Sequence, residues 1–436
     1  MPWLADLEQL RDAMSAGYAN LEWQAQRGYD LPVAYARARG RLEAARDSYE
    51  ARRAVERFLA GFGDGHLEVH WPSTSKAPAS APQPLCARLG YFEVPDDGGP
   101  AMHLPGQRTI GPLDAHLKAG ILTVANRKLA ILRIGMFSPH GYPDICERVA
   151  RDRGLTAQSP CDETCHHSFE QAADRAFIDE MARQLAAITA LKPDALLIDI
   201  AANGGGNDSS LALARMVTAR PLARAQGGGL RGPDWGRELA DREADVPKAL
   251  AVATPADRAA LSAFATQLQT ARADAAKTCD RSPLWLGRPI SCTARVPEPL
   301  YKGFWSYLPD AQDPIAAAKP VWNGPLFVLV DSGSASSSEW FAAMLQDSKA
   351  ATIIGSVTFG AGCGHMTGAL PVKLTHTGGV VSMPDCWRLR ANGENEAGGV
   401  EPDVLIAFRD RDAPPQRTAR LARALPRALV HVTAKR

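Results

Sequence analysis

The stretch LFVLVDSGSASSSEWFAAML, residues 326–345, begins with five apolar residues and ends in an amphipathic pattern. Between them lies a turn with five serines in seven residues: Ser332, Ser334, Ser336, Ser337 and Ser338. A short, unbroken apolar run bounded by turn residues reads as a strand buried on both faces, the kind a parallel sheet requires. The helix that follows is expected to start near Ser337 or Ser338. A serine just before a helix start sits beside unpaired backbone N–H groups and the positive end of the helix dipole. Those groups suit a developing oxyanion if the serine is a nucleophile. They equally suit a plain N-cap, for which Ser336 and Ser338 are the candidates.

A second strand and turn share this layout. ALLIDI (195–200) is another buried-strand candidate, followed by AANGGGND (201–208) and a helical run. Backbone amides of Asn203 to Gly206 are expected at the carboxyl-terminal edge of the sheet, where ligands of open α/β sheets bind. Glycines there allow close backbone approach. A phosphate-cradling loop is the competing reading, but no GK[ST] follows. LAILRIGMF (129–137) adds a strand, and Phe177, Met181, Leu185 and Ile188 mark a long amphipathic helix. Alternation of this kind predicts an α/β fold, a mainly parallel sheet covered by helices.

Further out, residues 1–75 read as helices ending at GFGDGH (61–66), with Leu4, Leu7, Leu10 and Met14 at helical spacing. Residues 76–120, rich in proline, serine and alanine at their start, read as a linker or loop segment. Residues 121–436 are expected to hold the α/β domain, interrupted by an insertion over about 224–320. LPVKLTHTGGVVSMP (370–384) predicts a hairpin turning at Gly378–Gly379.

Bulk properties narrow the function. The 49 basic and 48 acidic residues nearly cancel, which gives no support for nucleic acid or an anionic membrane as the main partner. No apolar run reaches the length of a membrane-spanning helix. MPWLADLEQL lacks the basic and apolar regions of a signal peptide, so the chain is either cytosolic or written without its leader. Eight cysteines, several in Pro/Gly-rich loops, favour disulfides and an oxidising compartment. The expectation is therefore a periplasmic or secreted protein. CDETCHHS (161–168) leaves a zinc site of Cys161, Cys165, His166 and His167 open beside a disulfide.

Three segments together carry a family resemblance: ALLIDIAANGGG (195–206), LFVLVDSGSASSSEWFAAMLQDSKAATIIGSVTFG (326–360) and GENEAGGVEPDVLI (393–406). In order and spacing they resemble the S41 serine peptidases, the C-terminal processing and tricorn-core group, over about 120–220 and 320–410. The resemblance implies a crotonase/ClpP-like core and hydrolysis through a serine acyl-enzyme, without a cofactor. It places the nucleophile at Ser336. The oxyanion hole would be the amide of Ser337 with one from Gly204–Gly206, Gly204 and Gly205 foremost. The processing branch takes its lysine base just after TFG, where this chain has Ala361. The tricorn-like branch uses histidine and glutamate instead, which implies His66 and Glu396, with Glu394 as the second choice.

A histidine titrates in the useful range, and a third group can fix its tautomer. His365, in TFGAGCGH (358–365), is the runner-up base. Cys386, after the hairpin, offers a ready disulfide partner for Cys363, so the two are expected to clip the active-site loop to the hairpin. No PDZ-like signature is evident. The resulting expectation is an endopeptidase acting on extended or unfolded polypeptide. The rivals are an inactive module of the same fold that binds peptides or lipophilic ligands, and a crotonase-like thioester enzyme.

Overall fold

The computed structural model describes residues 2–72, 83–95, 98–111, 117–223, 225–296, 315, 318–366, 370–409 and 411–433. The chain forms two compact units. One comprises 1–76, 224–309 and 360–398, and the other 77–223, 310–359 and 399–436. Of the expected linker, 76–82, 96–97 and 112–116 lie outside the described residues.

Strands number through the chain as β1 (Glu68–His70), β2 (Arg108–Ile110), β3 (Lys118–Val124), β4 (Arg127–Arg133), β5 (Ala195–Asp199), β6 (Gln226–Leu230) and β7 (Thr293–Val296). They continue as β8 (Leu326–Val330), β9 (Thr352–Gly355), β10 (Val372–Lys373), β11 (Val380–Ser382), β12 (Cys386–Leu389) and β13 (Val404–Leu405).

The second unit is built on a seven-stranded sheet of order β13-β9-β8-β5-β4-β3-β2. Pairing is parallel from β13 through β4 and antiparallel for β4 with β3 and β3 with β2. Every residue of β5 and β8 is buried, as unbroken apolar runs require when helices cover both faces. Leu197, Phe327, Leu329 and Ile354 pack against Leu421, Leu425 and Leu429 of the helix Pro414–Thr433. Part of the stretch read as linker is structured here, since β2 extends the sheet through β3. The parallel arrangement turns the ends of β5 and β8, with the glycine and serine turns, toward one edge.

The first unit joins distant parts of the chain. N-terminal helices and residues 281–290 share a core of Leu7, Leu10, Met14, Phe58, Phe62, Leu284 and Trp285. Residues 224–309, most of the insertion expected over about 224–320, thus belong with the N-terminal helices to one unit. Two antiparallel sheets complete it, β1-β11-β10 and β12-β6-β7. β6, QGGGL, needs its glycines. A side chain at Gly228 would collide with the Trp387 ring, and one at Gly229 with the Trp235 ring.

All eight cysteines are paired: Cys86–Cys146 and Cys161–Cys165 in the second unit, Cys279–Cys292 and Cys363–Cys386 in the first. Cys161 and Cys165 are bonded to each other, which removes them as zinc ligands. Among the described residues, no helix is long and apolar enough to cross a membrane.

Candidate active site

In the second unit, β8 delivers the serine turn and the helix Ser337–Asp347 follows it directly. Ser336 occupies the N-cap position with φ 54° and ψ −117°. Positive φ is costly for a residue with a Cβ and persists only where the surroundings over-determine it. Here they do. The Ser336 N–H donates to Glu339 Oε2 at 2.9 Å, and Glu339 is fully buried. Glu339 Oε1 accepts from Thr358 Oγ1 at 2.6 Å, and Thr358 Oγ1 accepts from the Val400 N–H at 2.7 Å. Thr358 belongs to TFG and Val400 to GGVEPD, so one buried carboxylate draws together three separated parts of the sequence. Phe359 N–H, donating to Ser334 O at 3.0 Å, reinforces the same junction.

Ser338, one of the two cap candidates, does not cap the helix. It lies within the first turn with its hydroxyl buried and unpartnered. The chain reverses one residue pair earlier, which puts Ser336 at the cap position instead.

The glycine turn is tied to the serine turn by short polar contacts. Asp331, at the end of β8, accepts through Oδ1 from Ala202 N–H (2.7 Å) and Gly333 N–H (2.9 Å). Its other carboxylate oxygen pairs with Arg417 of the C-terminal helix. Ala335 N–H donates to Asn203 O at 3.0 Å, and Ser337 Oγ donates to Gly206 O at 3.1 Å. Gly205 is pressed onto the turn at φ 102°. A Cβ there would lie 2.8 Å from both Ala335 O and Ser336 Cβ.

The amides differ in their engagement. Gly205 N–H donates to Asn203 Oδ1 at 2.9 Å. Ser337 and Gly204 N–H have no protein acceptor among the described residues. Of the glycine amides named from the sequence, Gly205 is thus engaged, while Gly204, like Gly206, has no protein acceptor among the described residues.

In the first unit, His66 follows the helix Ser48–Ala60 in a glycine-rich loop leading to β1. Its Nδ1 lies 2.7 Å from the carbonyl oxygen of Ala361. A carbonyl only accepts, so Nδ1 carries the proton and Nε2 keeps a free lone pair. Ala361 occupies the position at which the processing branch has lysine, and its main chain now orients the histidine. The ring of His365 lies edge-on to that of His66, with centroids 5.9 Å apart.

The two glutamates are placed elsewhere. Glu396 is buried and forms an ion pair with Arg388 Nε at 3.1 Å, rather than a hydrogen bond with His66. The ring nitrogen a third group would bind already faces Ala361 O. Arg388 Nη2 also donates to Gly362 O at 3.2 Å, so the pair braces the loop that carries Ala361. Glu394 is exposed and accepts from Asn392 Nδ2 at 2.8 Å.

A carboxylate the sequence reading passed over lies closer. Asp64 Oδ1 accepts from the His66 main-chain N–H at 3.1 Å. Its Oδ2 accepts from Tyr18 Oη and Asn20 Nδ2, each at 2.9 Å. Burial raises the Asp64 carboxyl above its ordinary range, and these donors offset only part of that push. The D-G-H spacing was one signal for it; the S-x-x-E pattern of Ser336 and Glu339 was a signal for the other buried acid.

The family model for Peptidase family S41 matches residues 167–406, more than half of the chain. The chain belongs to peptidase family S41. Mature CPAF complexed with lactacystin shares 16% identity over 100% of this chain and 99% of its own, with a TM-score of 0.61. For mature CPAF the values are 16%, 99%, 98% and 0.58. A putative peptidase from Parabacteroides merdae ATCC 43184 shares 14% identity over 100% of this chain and 98% of its own, at a TM-score of 0.49. The two CPAF structures show that the S41 fold extends over nearly the full length. No curated protein matches the chain in sequence. As an S41 member it is a serine-type peptidase, and peptides are the substrates that membership implies.

Proposed function

We propose that this S41 peptidase is an endopeptidase that cleaves extended or unfolded polypeptides through an acyl-enzyme on Ser336, with His66 as general base. The observation that carries the reading is the serine held at positive φ on a helix N-terminus, beside the unengaged Ser337 amide. Such strain marks nucleophile turns, because it exposes the hydroxyl while aiming backbone donors at the same point.

In this scheme Ser336 Oγ attacks the scissile carbonyl carbon and its proton passes to His66 Nε2. The carbonyl oxygen becomes an oxyanion that accepts from Ser337 N–H and Gly204 N–H. Collapse breaks the C–N bond, and His66 gives its proton to the leaving amine. Water then attacks the ester carbon, losing a proton to Nε2, and the Ser336 alkoxide leaves with that proton. The Ala361 carbonyl keeps Nδ1 protonated, so the basic nitrogen is always the same one. Loss of one oxyanion donor costs roughly 100- to 1000-fold in such sites. The scheme uses side chains and main-chain amides alone. Four disulfides support a periplasmic or secreted setting.

The test is casein or peptide cleavage together with labelling by a fluorophosphonate probe. Ser336→Ala should abolish both, and His66→Gln should slow both by at least about 1000-fold. Full cleavage by either variant would overturn the assignment. Stoichiometric peptide binding without turnover by the parent protein would favour the inactive-module reading.

A further inference from the structure

His66 needs a negative charge nearby if it is to carry a proton during turnover, and two buried carboxylates are candidates. Glu396 is the one the family pattern selects, yet Arg388 Nε lies 3.1 Å from its Oε2 and offsets its charge. Asp64 is different. Its three partners, Tyr18 Oη, Asn20 Nδ2 and the His66 N–H, are all uncharged donors. Donors that point at a carboxylate favour its ionised form, and here they work against the upward push of burial. It sits two residues from His66, is 6% exposed, and its carboxylate contacts His66 through the main-chain N–H. In a site shielded from water, an uncompensated charge acts further than one neutralised by an ion pair.

We infer that Asp64 is the positioning and electrostatic support of His66, while Glu396 acts only by bracing the loop that presents Ala361 O. The inference rests on the reading of His66 as general base. The groups around this loop include Tyr18 and Asn20 from the turn between the helices Pro2–Gly17 and Leu21–Gln26, His365 from residues 361–365, Asn395, which donates to Asn20 Oδ1 at 2.9 Å, and Asp385, which accepts from Met366 N–H at 2.7 Å. Asp64 is the carboxylate among them that contacts His66 itself, through the main-chain N–H. Its removal should make protonation of the His66 ring harder.

The experiment titrates the His66 ring by NMR in the folded Ser336→Ala protein, which requires no turnover, and repeats the titration with Asp64→Asn or Glu396→Gln added. The pH–kcat/KM profile is recorded in parallel for the Ser336-containing forms. Asp64→Asn should move both the ring titration and the acid limb about one pH unit lower and reduce kcat more than KM. Asp64→Glu should recover part of both shifts. Glu396→Gln should leave the titration in place. A ring titration unmoved by Asp64→Asn overturns the inference. So does a shift of about one unit with Glu396→Gln, a result readable even if Asp64→Asn fails to fold. Failure of the general-base reading looks different: the NMR shift stands while His66→Gln remains active.

Discussion

Ser336 and Gly205 show how backbone geometry alone can set up the proposed reacting centre. Ser336 is held at φ 54° by a hydrogen bond to a buried carboxylate, and Gly205 sits at φ 102° against the same turn. Gly205→Ala is therefore doubly penalised. The conformation disfavours a Cβ, and that Cβ would meet Ala335 O at 2.8 Å, a main-chain atom that cannot swing aside. The expected cost is about 2 kcal/mol or more in denaturant unfolding. Activity per folded molecule should fall at least about 100-fold, because the Ser337 and Gly204 amides shift together. An active Gly205→Ala protein would show that the two turns are not one device. The serine and glycine turns could be read from sequence because each combines an apolar strand with residues of special backbone freedom. Asp331 could not, since its role comes from what surrounds it after folding.

Helices in this chain are fixed by polar contacts with elements far away in sequence, which periodicity cannot report. Arg281 is buried, and its guanidinium donates to Met14 O, Ser15 O and Tyr18 O, closing the C-terminal end of the helix Pro2–Gly17. Burial lowers its pKa to about 10, and it remains charged at neutral pH. Arg281→Ala leaves three carbonyls without their donor, so unfolding should cost roughly 3 kcal/mol less. Arg281→Lys should recover little, since a point charge cannot span three acceptors. The helix Glu163–Ala190 supplies a second case. Its Asp174 accepts from Asn207 Nδ2 at 2.8 Å, and burial raises the Asp174 pKa to about 6 from the ordinary 3.8. The folded state thus holds a proton over a range where the unfolded state has lost it. This group's contribution to stability is full below about 3.8 and lost as pH rises through about 6. Asp174→Asn keeps an acceptor for Asn207 and should raise the melting midpoint at pH 7 by at least about 2 °C, with no gain near pH 3.5. An equal gain at both pH values would mean the burial cost of the charge is not the cause.

Across the molecule, the parallel sheet was readable because β5 and β8 are unbroken apolar runs, and long strands of that type have few alternatives. The first unit was not readable. It assembles 1–76, 224–309 and 360–398 through contacts such as Arg281 with the N-terminal helix, and no local pattern announces a partner more than 260 residues away. The disulfides divide stability from activity along the same lines. Cys86–Cys146 spans 60 residues and Cys363–Cys386 spans 23, so chain entropy makes the first the larger stabiliser, about 4 against about 3 kcal/mol. Activity should rank them the other way. Cys363 lies two residues from Ala361, whose carbonyl orients His66, and freeing that loop should loosen the tautomer control of the proposed base. Replacing both cysteines of each pair with alanine tests this crossing, read by denaturant midpoint and by kcat of the folded fraction. The Cys86/Cys146 variant should lose more stability and keep its kcat. The Cys363/Cys386 variant should lose less stability and at least about ten-fold in kcat, because a small misplacement of a catalytic group costs heavily in rate. Equal kcat in the two would show that the bridge at 363–386 serves the fold alone.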